Sequence, residues 1–302
     1  MVVTRFGRTA ALAGQGSALP MGHGIIPAMP LSIFLLVLLA AALHASWNAI
    51  VKRGPDKQLG TVLVTGSAAM LSAALLPFLP LPDAPSWPWL AASVALQATY
   101  YALVARCYQQ VDMSVAYPLM RGSAPILVAL VGLLLGEQLA LAAWSGIVLI
   151  SIGILAMALG TRRAQWGMPL LTAGMIATYT LVDAHGARLS GNALSYTLWL
   201  FLLSGLPLTV RALIHRRGAL RTYAAAHWRL GVIGGIGTTT SYAIALWAMT
   251  LVPIAMVSAL RETSILFALL ISAFLLGERV PRGRWTAGGV IVTGVILLRI
   301  AS

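Results

Sequence analysis

The feature that most constrains this chain is a succession of apolar runs of about twenty residues, separated by short connections rich in glycine, proline or charge. A helix crosses the ~30 Å hydrocarbon core of a membrane with about 20 mostly apolar residues, at about 1.5 Å per residue. Runs of this length lie near residues 31–51, 59–79, 86–106, 113–135, 141–160, 167–187, 192–210, 228–250, 254–276 and 283–300. The pattern predicts an all-α integral membrane protein with ten transmembrane helices.

Composition excludes a soluble domain and argues against nucleic acid as a partner. Of the 302 residues, 59% are hydrophobic and 9% are charged, whereas soluble domains carry about 25% charged residues. Lys and Arg number 20 against 7 Asp and Glu, and the formal net charge is +13. The basic residues flank the apolar runs, where such residues set topology and contact anionic headgroups. We therefore expect membrane lipid as the partner of this charge, and no nucleic acid.

The motifs of several enzyme classes are missing from the sequence. Cys107 is the single cysteine, so neither an internal disulfide nor a cysteine metal cluster is expected. The chain contains no His-Glu-x-x-His and no Gly-x-Ser-x-Gly, and the glycines at 234–237 are not followed by the Lys-Ser/Thr of a phosphate-binding loop. The sequence therefore predicts no enzyme, no cofactor and no metal site.

Residues 1–30 contain arginines, glycines and prolines but no run long enough to span a membrane. We expect a flexible N-terminal lead here. The alternative is a signal peptide, because residues 31–43 are apolar and the small residues at 42–45 could form a cleavage site. We favour a spanning helix because this segment has a counterpart in the second half of the chain.

An internal repeat appears when the sequence is compared with itself at a shift of 141 residues. Gly136 and Glu137 then coincide with Gly277 and Glu278, and the tryptophans at 144 and 285 also coincide. The two predicted repeats are residues 31–160 and 166–300. Each contains five predicted helices, an odd number, so the second repeat must enter the membrane with the opposite orientation. Such inverted repeats place a binding site near the bilayer midplane, between the two halves.

Two motifs carry a resemblance to a known family. The sequence Leu-Leu-Gly-Glu-Gln at 134–138 and the sequence Leu-Leu-Gly-Glu-Arg at 275–279 each precede a tryptophan-containing helix. With the five-plus-five pattern, they resemble the drug/metabolite transporter superfamily, and within it the EamA type. Residues 42–49 and 116–122 look like the first and fourth helices of a bacterial branch of that family.

The resemblance implies a bundle whose central cavity is lined chiefly by the first, third, fourth, sixth, eighth and ninth helices. It implies export or exchange of amino acids, related metabolites or drugs. From this and the inverted repeat we expect a secondary transporter, an exporter or exchanger working by alternating access, for an amino acid or a related organic anion or zwitterion. We also expect a multi-pass protein of the bacterial inner membrane, as monomer or homodimer, with protons as an additional partner. The alternatives are a flippase of the same fold for lipid-linked or amphiphilic molecules, and a non-transporting membrane subunit.

Two orientations of the termini stay open. Most Lys and Arg residues lie in connections after odd-numbered helices. By the positive-inside rule this bias favours both termini outside the cytoplasm, whereas the resemblance implies both termini inside.

Ionisable residues within spans are costly and usually functional. Arg121 and Glu262 each lie 8 residues beyond the start of their predicted helices at 113 and 254, about 12 Å along each axis. Because those helices start from opposite membrane faces, both side chains are expected near the midplane. We predict that they face the cavity, either paired or exchanging their pairing for substrate and proton. The alternative is a permanent ion pair that only fixes packing.

A second set of candidates comes from the first and sixth helices, which align at a shift of 135. This shift places His44 opposite Tyr179 and Asn48 opposite Asp183. We predict that these four line the pathway, with Glu262 or Asp183 receiving the amine of a zwitterionic substrate whose carboxylate binds Arg121. The alternative is that Asn48 and Asp183 only cap helix ends, and that His44 makes one interhelical hydrogen bond.

Other residues have expected roles of two kinds. The aromatic residues predicted to wall the pocket are Trp47, Tyr101, Tyr117 and Tyr242, with membrane-interface packing as the alternative. Arg261 points about 100° away from Glu262 on a helix, so we expect it to pair with another carboxylate. Glu137 and Glu278 follow glycines at helix ends, and we expect both to be structural caps.

Overall fold

A computed structural model describes residues 29–53, 55–158, 165–275, 277 and 280–300, and its regular elements are all helical. The lead predicted over residues 1–30 lies almost wholly outside the described part. The helices, numbered in chain order, are α1 (Leu31–Arg53), α2 (Lys57–Leu75), α3 (Trp87–Gln110), α4 (Met113–Leu134), α5 (Leu141–Ala156), α6 (Gly167–Leu189), α7 (Ala193–His215), α8 (Arg217–Leu251), α9 (Ile254–Arg261), α10 (Ser264–Leu270) and α11 (Arg282–Ile300). Two short 3-10 turns, Leu76–Phe78 and Ala84–Ser86, join α2 to α3, and a π-helical turn, Ile271–Leu275, follows α10.

Seven segments in the described part of the chain are long and apolar enough to cross a membrane. They are Leu31–Ala49, Gln58–Phe78, Met113–Leu134, Ala193–His215, Arg217–Leu251, Ile254–Leu275 and Arg282–Ile300. Helix α5 is apolar but shorter, and α3 and α6 carry buried polar residues such as Ser93 and Asp183. The all-helical membrane class is therefore confirmed. The total of ten spans and their arrangement as inverted repeats stay predictions.

The sequence places the eighth helix incorrectly. A span at 228–250 was expected after the one at 192–210, whereas α8 runs unbroken over 35 residues from Arg217 to Leu251. Alanine, leucine and arginine dominate residues 217–229, and all three favour helix. At about 1.5 Å per residue the helix is about 52 Å long, well beyond the ~30 Å hydrocarbon thickness. Hydropathy predicts only the apolar part of this helix, and the helix extends beyond that part at its N-terminal end.

The predicted ninth helix, 254–276, is interrupted near its middle. Helix α9 ends at Arg261, a turn follows, and α10 begins at Ser264. Within the turn, the backbone N–H of Glu262 donates to Ala259 O at 3.1 Å and that of Thr263 donates to Leu260 O at 3.1 Å. These bonds span three residues instead of four, so Glu262 lies at a break in the span rather than inside a regular helix.

Helices of the first half pack mostly against helices of the second half. α1 lies against α8 and α10, α2 against α7 and α8, α3 and α4 against α6, and α5 against α11. The central core contains Ile147 and Ile150 from α5, Leu246 from α8 and Leu260 from α9, all essentially buried. The interface between the halves is therefore formed by elements from both.

Polar contacts between connections sort the helix ends into two groups. Arg216 Nη2 lies 3.0 Å from Asp56 Oδ2, joining the connections after α7 and α1. Asp83 N donates to Ser190 O at 3.1 Å, joining those after α2 and α6. Glu137, after α4, joins the end of α6 and the start of α9 through contacts described below. These contacts thus join the connections after α1 and α7 to each other, and those after α2, α4, α6 and α8 to one another.

Candidate functional site

The structure brings Arg121 and Glu262 into contact, as the depth argument predicts. Arg121 Nε on α4 lies 2.7 Å from Glu262 Oε2 at the break between α9 and α10. Only 9% of Arg121 and 3% of Glu262 is exposed. We call these two residues the central pair. They join the two halves at the point where one spanning segment loses its regular hydrogen bonding.

Several polar atoms of the central pair are not satisfied by the protein. Arg121 Nη2 is buried without a hydrogen-bond partner among the described residues, whereas Arg121 Nε and Glu262 Oε2 are buried and contact only each other, as an ion pair without hydrogen-bond geometry. The hydroxyl of Ser264, at the start of α10, is in the same condition. Unsatisfied buried polar groups cost about 1–3 kcal/mol each, more when charged. A guanidinium with free donors favours a planar, bidentate acceptor such as a carboxylate.

Tyrosines surround the guanidinium of Arg121. The hydroxyls of Tyr100, Tyr117 and Tyr179 lie within electrostatic range of it, and the rings of Tyr100 and Tyr179 meet edge to face at 5.3 Å between centroids. Tyr101 packs on Tyr100 at 5.5 Å but is 48% exposed. Two of the predicted site residues, Tyr117 and Tyr179, therefore lie around the central pair. Tyr101 lies at the periphery of this group.

The α1 candidates are placed unequally. His44 meets Trp47 edge to face at 5.5 Å and lies within electrostatic range of Arg121. The indole nitrogen of Trp47 is buried and has no hydrogen-bond partner among the described residues. Asn48 is exposed and donates to the carbonyl of His44 at 2.8 Å, within its own helix. The geometry thus favours local hydrogen bonding for Asn48, and it brings His44 and Trp47 toward the site.

Asp183 is the most enclosed of the predicted residues, with no exposed surface. Its Oδ2 accepts hydrogen bonds from the hydroxyl of Tyr242 and from Gln97 Nε2, the latter at 3.3 Å. Its Oδ1 is buried without a partner among the described residues. Asp183 does not cap a helix end, because α6 continues to Leu189.

Sequence reasoning missed the contribution of α3 to this group. Gln97 Nε2 lies 3.4 Å from Ser93 Oγ as well as contacting Asp183. We call Asp183, Tyr242, Gln97 and Ser93 the Asp183 cluster. A signal was present, because Ser93, Gln97 and Tyr100 recur at spacings of four and three and so share one face of α3. No symmetry relation pointed to it.

Arg261 does not have the carboxylate partner expected for it. Its guanidinium carbon lies 4.9 Å from the ring centroid of Tyr242, above the ring face. The ion pairs between described side chains involve other residues. Arg261 instead makes a cation–π contact, because the break after α9 directs it toward α8. Through Tyr242 it lies next to the Asp183 cluster.

Glu137 has the capping role expected for it, on a helix other than its own. Its Oε1 accepts from Arg188 Nη2 at 3.0 Å, and its two oxygens lie 3.3 and 3.2 Å from Ile254 N, at the start of α9. Arg188 Nε also donates to Met249 O at 2.9 Å. Glu278 lies outside the described residues. In the part of the chain that the structure describes, no group of three or more His, Cys, Asp or Glu is arranged to hold a metal ion.

Comparison with known proteins identifies the second half. Residues 165–300 match the model of the EamA-like transporter family. One solved structure, entitled only as the crystal structure of a protein, superimposes with a TM-score of 0.64 over 89% of this chain and 96% of that chain, at 18% sequence identity. That likeness shows the fold alone. No curated protein matches the chain.

Together, the apolar helices and the family match point to a multi-pass integral membrane protein. Residues 165–300 are thus similar to the EamA-like transporter family, which is of the drug/metabolite transporter type. The resemblance stated from the sequence is thereby confirmed for this half. The family is one of transporters and not of enzymes.

Proposed function

We propose that the protein is a secondary transporter of small solutes bearing a carboxylate, such as amino acids or related organic anions. The substrate binds at the central pair, between the two repeats at 31–160 and 166–300. The observation that carries this proposal is the buried Arg121, which pairs with Glu262 at a helix break and whose Nη2 no described residue satisfies. A site that binds a carboxylate inside the protein needs free hydrogen-bond donors and must be enclosed by protein side chains.

The substrate carboxylate takes the place of Glu262 on the Arg121 guanidinium. The displaced Glu262 then becomes the partner for the ammonium group of a zwitterionic substrate. With a zwitterionic substrate, this exchange leaves each buried charge next to a charge of opposite sign. An unpaired buried charge is the most costly outcome in a membrane. Tyr117 and Tyr179 supply ring surface and hydroxyls around the bound solute.

The break at Glu262 supports alternating access. Discontinuous helices near the midplane line substrate sites in transporters built from inverted repeats. Here Glu262 has lost regular helical bonding, and α4, which carries Arg121, contains Pro118 and Pro125. Proline removes a backbone donor and bends a helix. Both helices that hold the central pair therefore have a point at which their two ends can move separately.

The test is a solute panel applied to purified protein. Amino acids and small organic anions are screened for a rise in melting temperature, and the solutes that stabilise the protein are assayed for flux in liposomes. We expect stabilisation and flux with the wild type and neither with Arg121→Ala. Glu262→Gln is expected to retain binding of simple carboxylates and to lose preference for zwitterions.

Arg299→Ala provides a matched control, because Arg299 lies at the end of α11 and bonds to the carbonyl of Met29, far along the chain from the central pair. It is expected to bind and transport like the wild type. Normal binding and flux in Arg121→Ala protein would move the substrate site away from the central pair.

A further inference from the structure

The Asp183 cluster contains a buried carboxylate whose direct hydrogen-bond partners are neutral. Asp183 has no exposed surface, and Oδ2 accepts from Tyr242 and Gln97. Oδ1 faces the protein interior without a hydrogen-bond donor among the described residues. Oδ2 is thus held in place, while Oδ1 has no donor in hydrogen-bond geometry, although the Ser93 hydroxyl also interacts with the carboxylate.

The charged and titratable neighbours come from each element packed around it. Tyr179 on α6, Tyr196 on α7, Tyr242 on α8 and Arg261 on α9 all interact electrostatically with Asp183. On α3, the facing side chains are the neutral Ser93 and Gln97. Arg261 is the cation of this set, and it lies over the ring of Tyr242 instead of contacting the carboxylate.

This arrangement differs from that of the central pair. Glu262 has the guanidinium of Arg121 at 2.7 Å, so its charge is neutralised by a direct contact. Asp183 has no such contact among the ion pairs of the described side chains. A carboxylate buried without a paired cation becomes neutral most simply by taking up a proton. The bare Oδ1 is the atom available for it.

We propose that Asp183 is a proton-binding site of this protein, separate from the central pair, in which Oδ1 carries the proton and Tyr242 and Gln97 hold Oδ2. The step is a simple association of one proton with one carboxylate, and no other bond changes. When Asp183 is ionised, Arg261 is the nearest available countercharge.

The position of Asp183 connects this site to the proposed substrate site. Tyr179 lies four residues before Asp183 on α6, and its hydroxyl is within electrostatic range of both Arg121 and Asp183. If the central pair binds the solute, as proposed above, proton occupancy of Asp183 and solute occupancy of Arg121 influence each other through Tyr179 and Arg261. This coupling rests on the proposed function, whereas the proton site itself does not.

The first test needs no solute. Infrared difference spectra of the purified protein, recorded while the pH is changed, report the C=O stretch of protonated carboxylic acids. We expect a band of a buried carboxylic acid in the wild type and its loss in Asp183→Asn. Glu262→Gln and Asp83→Asn are expected to keep it, the latter because Asp83 lies in the connection between α2 and α3. A band that survives in Asp183→Asn, or disappears in Glu262→Gln, would overturn the assignment.

A second variant keeps the test valid if Asp183→Asn does not fold. In Tyr242→Phe the carboxylic acid remains but loses the hydroxyl that bonds Oδ2. The band is expected to persist and to move to higher wavenumber, because a hydrogen bond to a carbonyl oxygen weakens the C=O stretch. An unchanged band position in correctly folded Tyr242→Phe protein would contradict the assignment to Asp183.

The coupling is tested in liposomes with any solute that the wild type transports. In Asp183→Asn, a pH gradient is expected to drive no accumulation, while exchange of internal for external solute continues. Accumulation at the wild-type level would show that Asp183 does not couple the proton to the solute. Loss of both activities in Arg121→Ala, but not in Asp183→Asn, separates the substrate site from the proton site.

Discussion

At the scale of single residues, the buried polar side chains in the described part of the chain are mostly serines and threonines, with a few charged residues among them. Arg121, Glu262 and Asp183 are almost completely enclosed, and each keeps at least one atom without a hydrogen-bond partner among the described residues. A purely structural buried pair usually satisfies its remaining donors and acceptors, because each unsatisfied atom reduces stability. The incomplete bonding is the reason for assigning these residues to ligand and proton binding.

The geometry of the guanidinium leads to a first prediction. Arg121→Lys keeps the positive charge but replaces two donor nitrogens in a plane with one ammonium group. We expect the dissociation constant of a carboxylate solute to rise at least about tenfold, which corresponds to about 1.4 kcal/mol. Titration calorimetry with a solute found in the panel measures this change. An affinity equal to the wild type would show that planar recognition is not used, and Arg299→Lys serves as the control.

Asp56 gives a prediction for pH. The backbone N–H of Leu59 holds the pKa of the Asp56 carboxyl below its usual value, and Arg216 acts in the same direction. The ionised carboxylate therefore stabilises the fold above the unfolded pKa of about 3.9, and this stability is lost as the pH falls through the lower folded value.

Asp56→Asn keeps the N-terminal cap of α2 and removes the charge. We expect a lower melting temperature than the wild type at neutral pH, and a difference that shrinks as the pH falls below about 4. Melting curves of detergent-solubilised protein over a pH series measure it. A gap that stays constant into acid would contradict an electrostatic origin.

At the scale of elements, α5 and α11 are held together by close backbone contact. A Cβ added at Gly294 would lie 2.8 Å from the carbonyl oxygen of Gly146 and 2.8 Å from Ile150. We therefore expect Gly294→Ala to destabilise the protein by about 1–3 kcal/mol. Gly289 lies on the same helix with nothing within 4 Å of its added Cβ, so Gly289→Ala is expected to be neutral or slightly stabilising. Equal melting temperatures for the two variants would exclude tight packing at this site.

The capping contact of Glu137 joins the connection after α4 to the start of α9. Glu137→Ala removes the acceptor for Ile254 N and the partner of Arg188. We expect a loss of about 1–2 kcal/mol in stability. Gln138→Ala, at the exposed neighbouring position, is the matched control and should melt like the wild type. The account of α9 would be wrong if Glu137→Ala also melted like the wild type.

Sequence patterns located the helices well where hydrophobic length decides, and less well where local hydrogen bonding decides. Most predicted spans lie within a few residues of the observed helices. The extension of α8 was missed because a helix outside the hydrocarbon needs no apolar run. The break at Glu262 was missed because a change from four-residue to three-residue bonding leaves hydropathy unaltered.

Part of the candidate site could be predicted from the sequence, and part could not. Arg121 and Glu262 could be paired from the sequence because their depths follow from counting residues along two helices, and the repeat shift relates them. The Asp183 cluster could not be predicted, since it depends on how α3, α6 and α8 are rotated about their axes. Asn48 was matched to Asp183 by the same symmetry, yet it is exposed and bonded to its own helix.

At the scale of the whole molecule, the two halves share one interior. Nearly every helix of the first half packs against helices of the second, and the central pair has one member from each half. The connections after α1 and α7 contact each other, and those after α2 and α4 contact the connection after α6. Both features support the proposed exchange of access between two faces of a membrane, with the central pair at the meeting point.

The most direct test of this account is the flux of a transported solute in liposomes containing the double variant Arg121→Glu with Glu262→Arg. The swap retains an ion pair of the same residue types between the same two helices, so a role limited to packing survives it. The account predicts a folded protein with melting behaviour close to the wild type and flux reduced at least about tenfold, equivalent to 1.4 kcal/mol, because the guanidinium no longer projects from α4 toward the bound carboxylate. Flux at the wild-type level in the swapped protein would contradict it and leave the central pair as a structural contact.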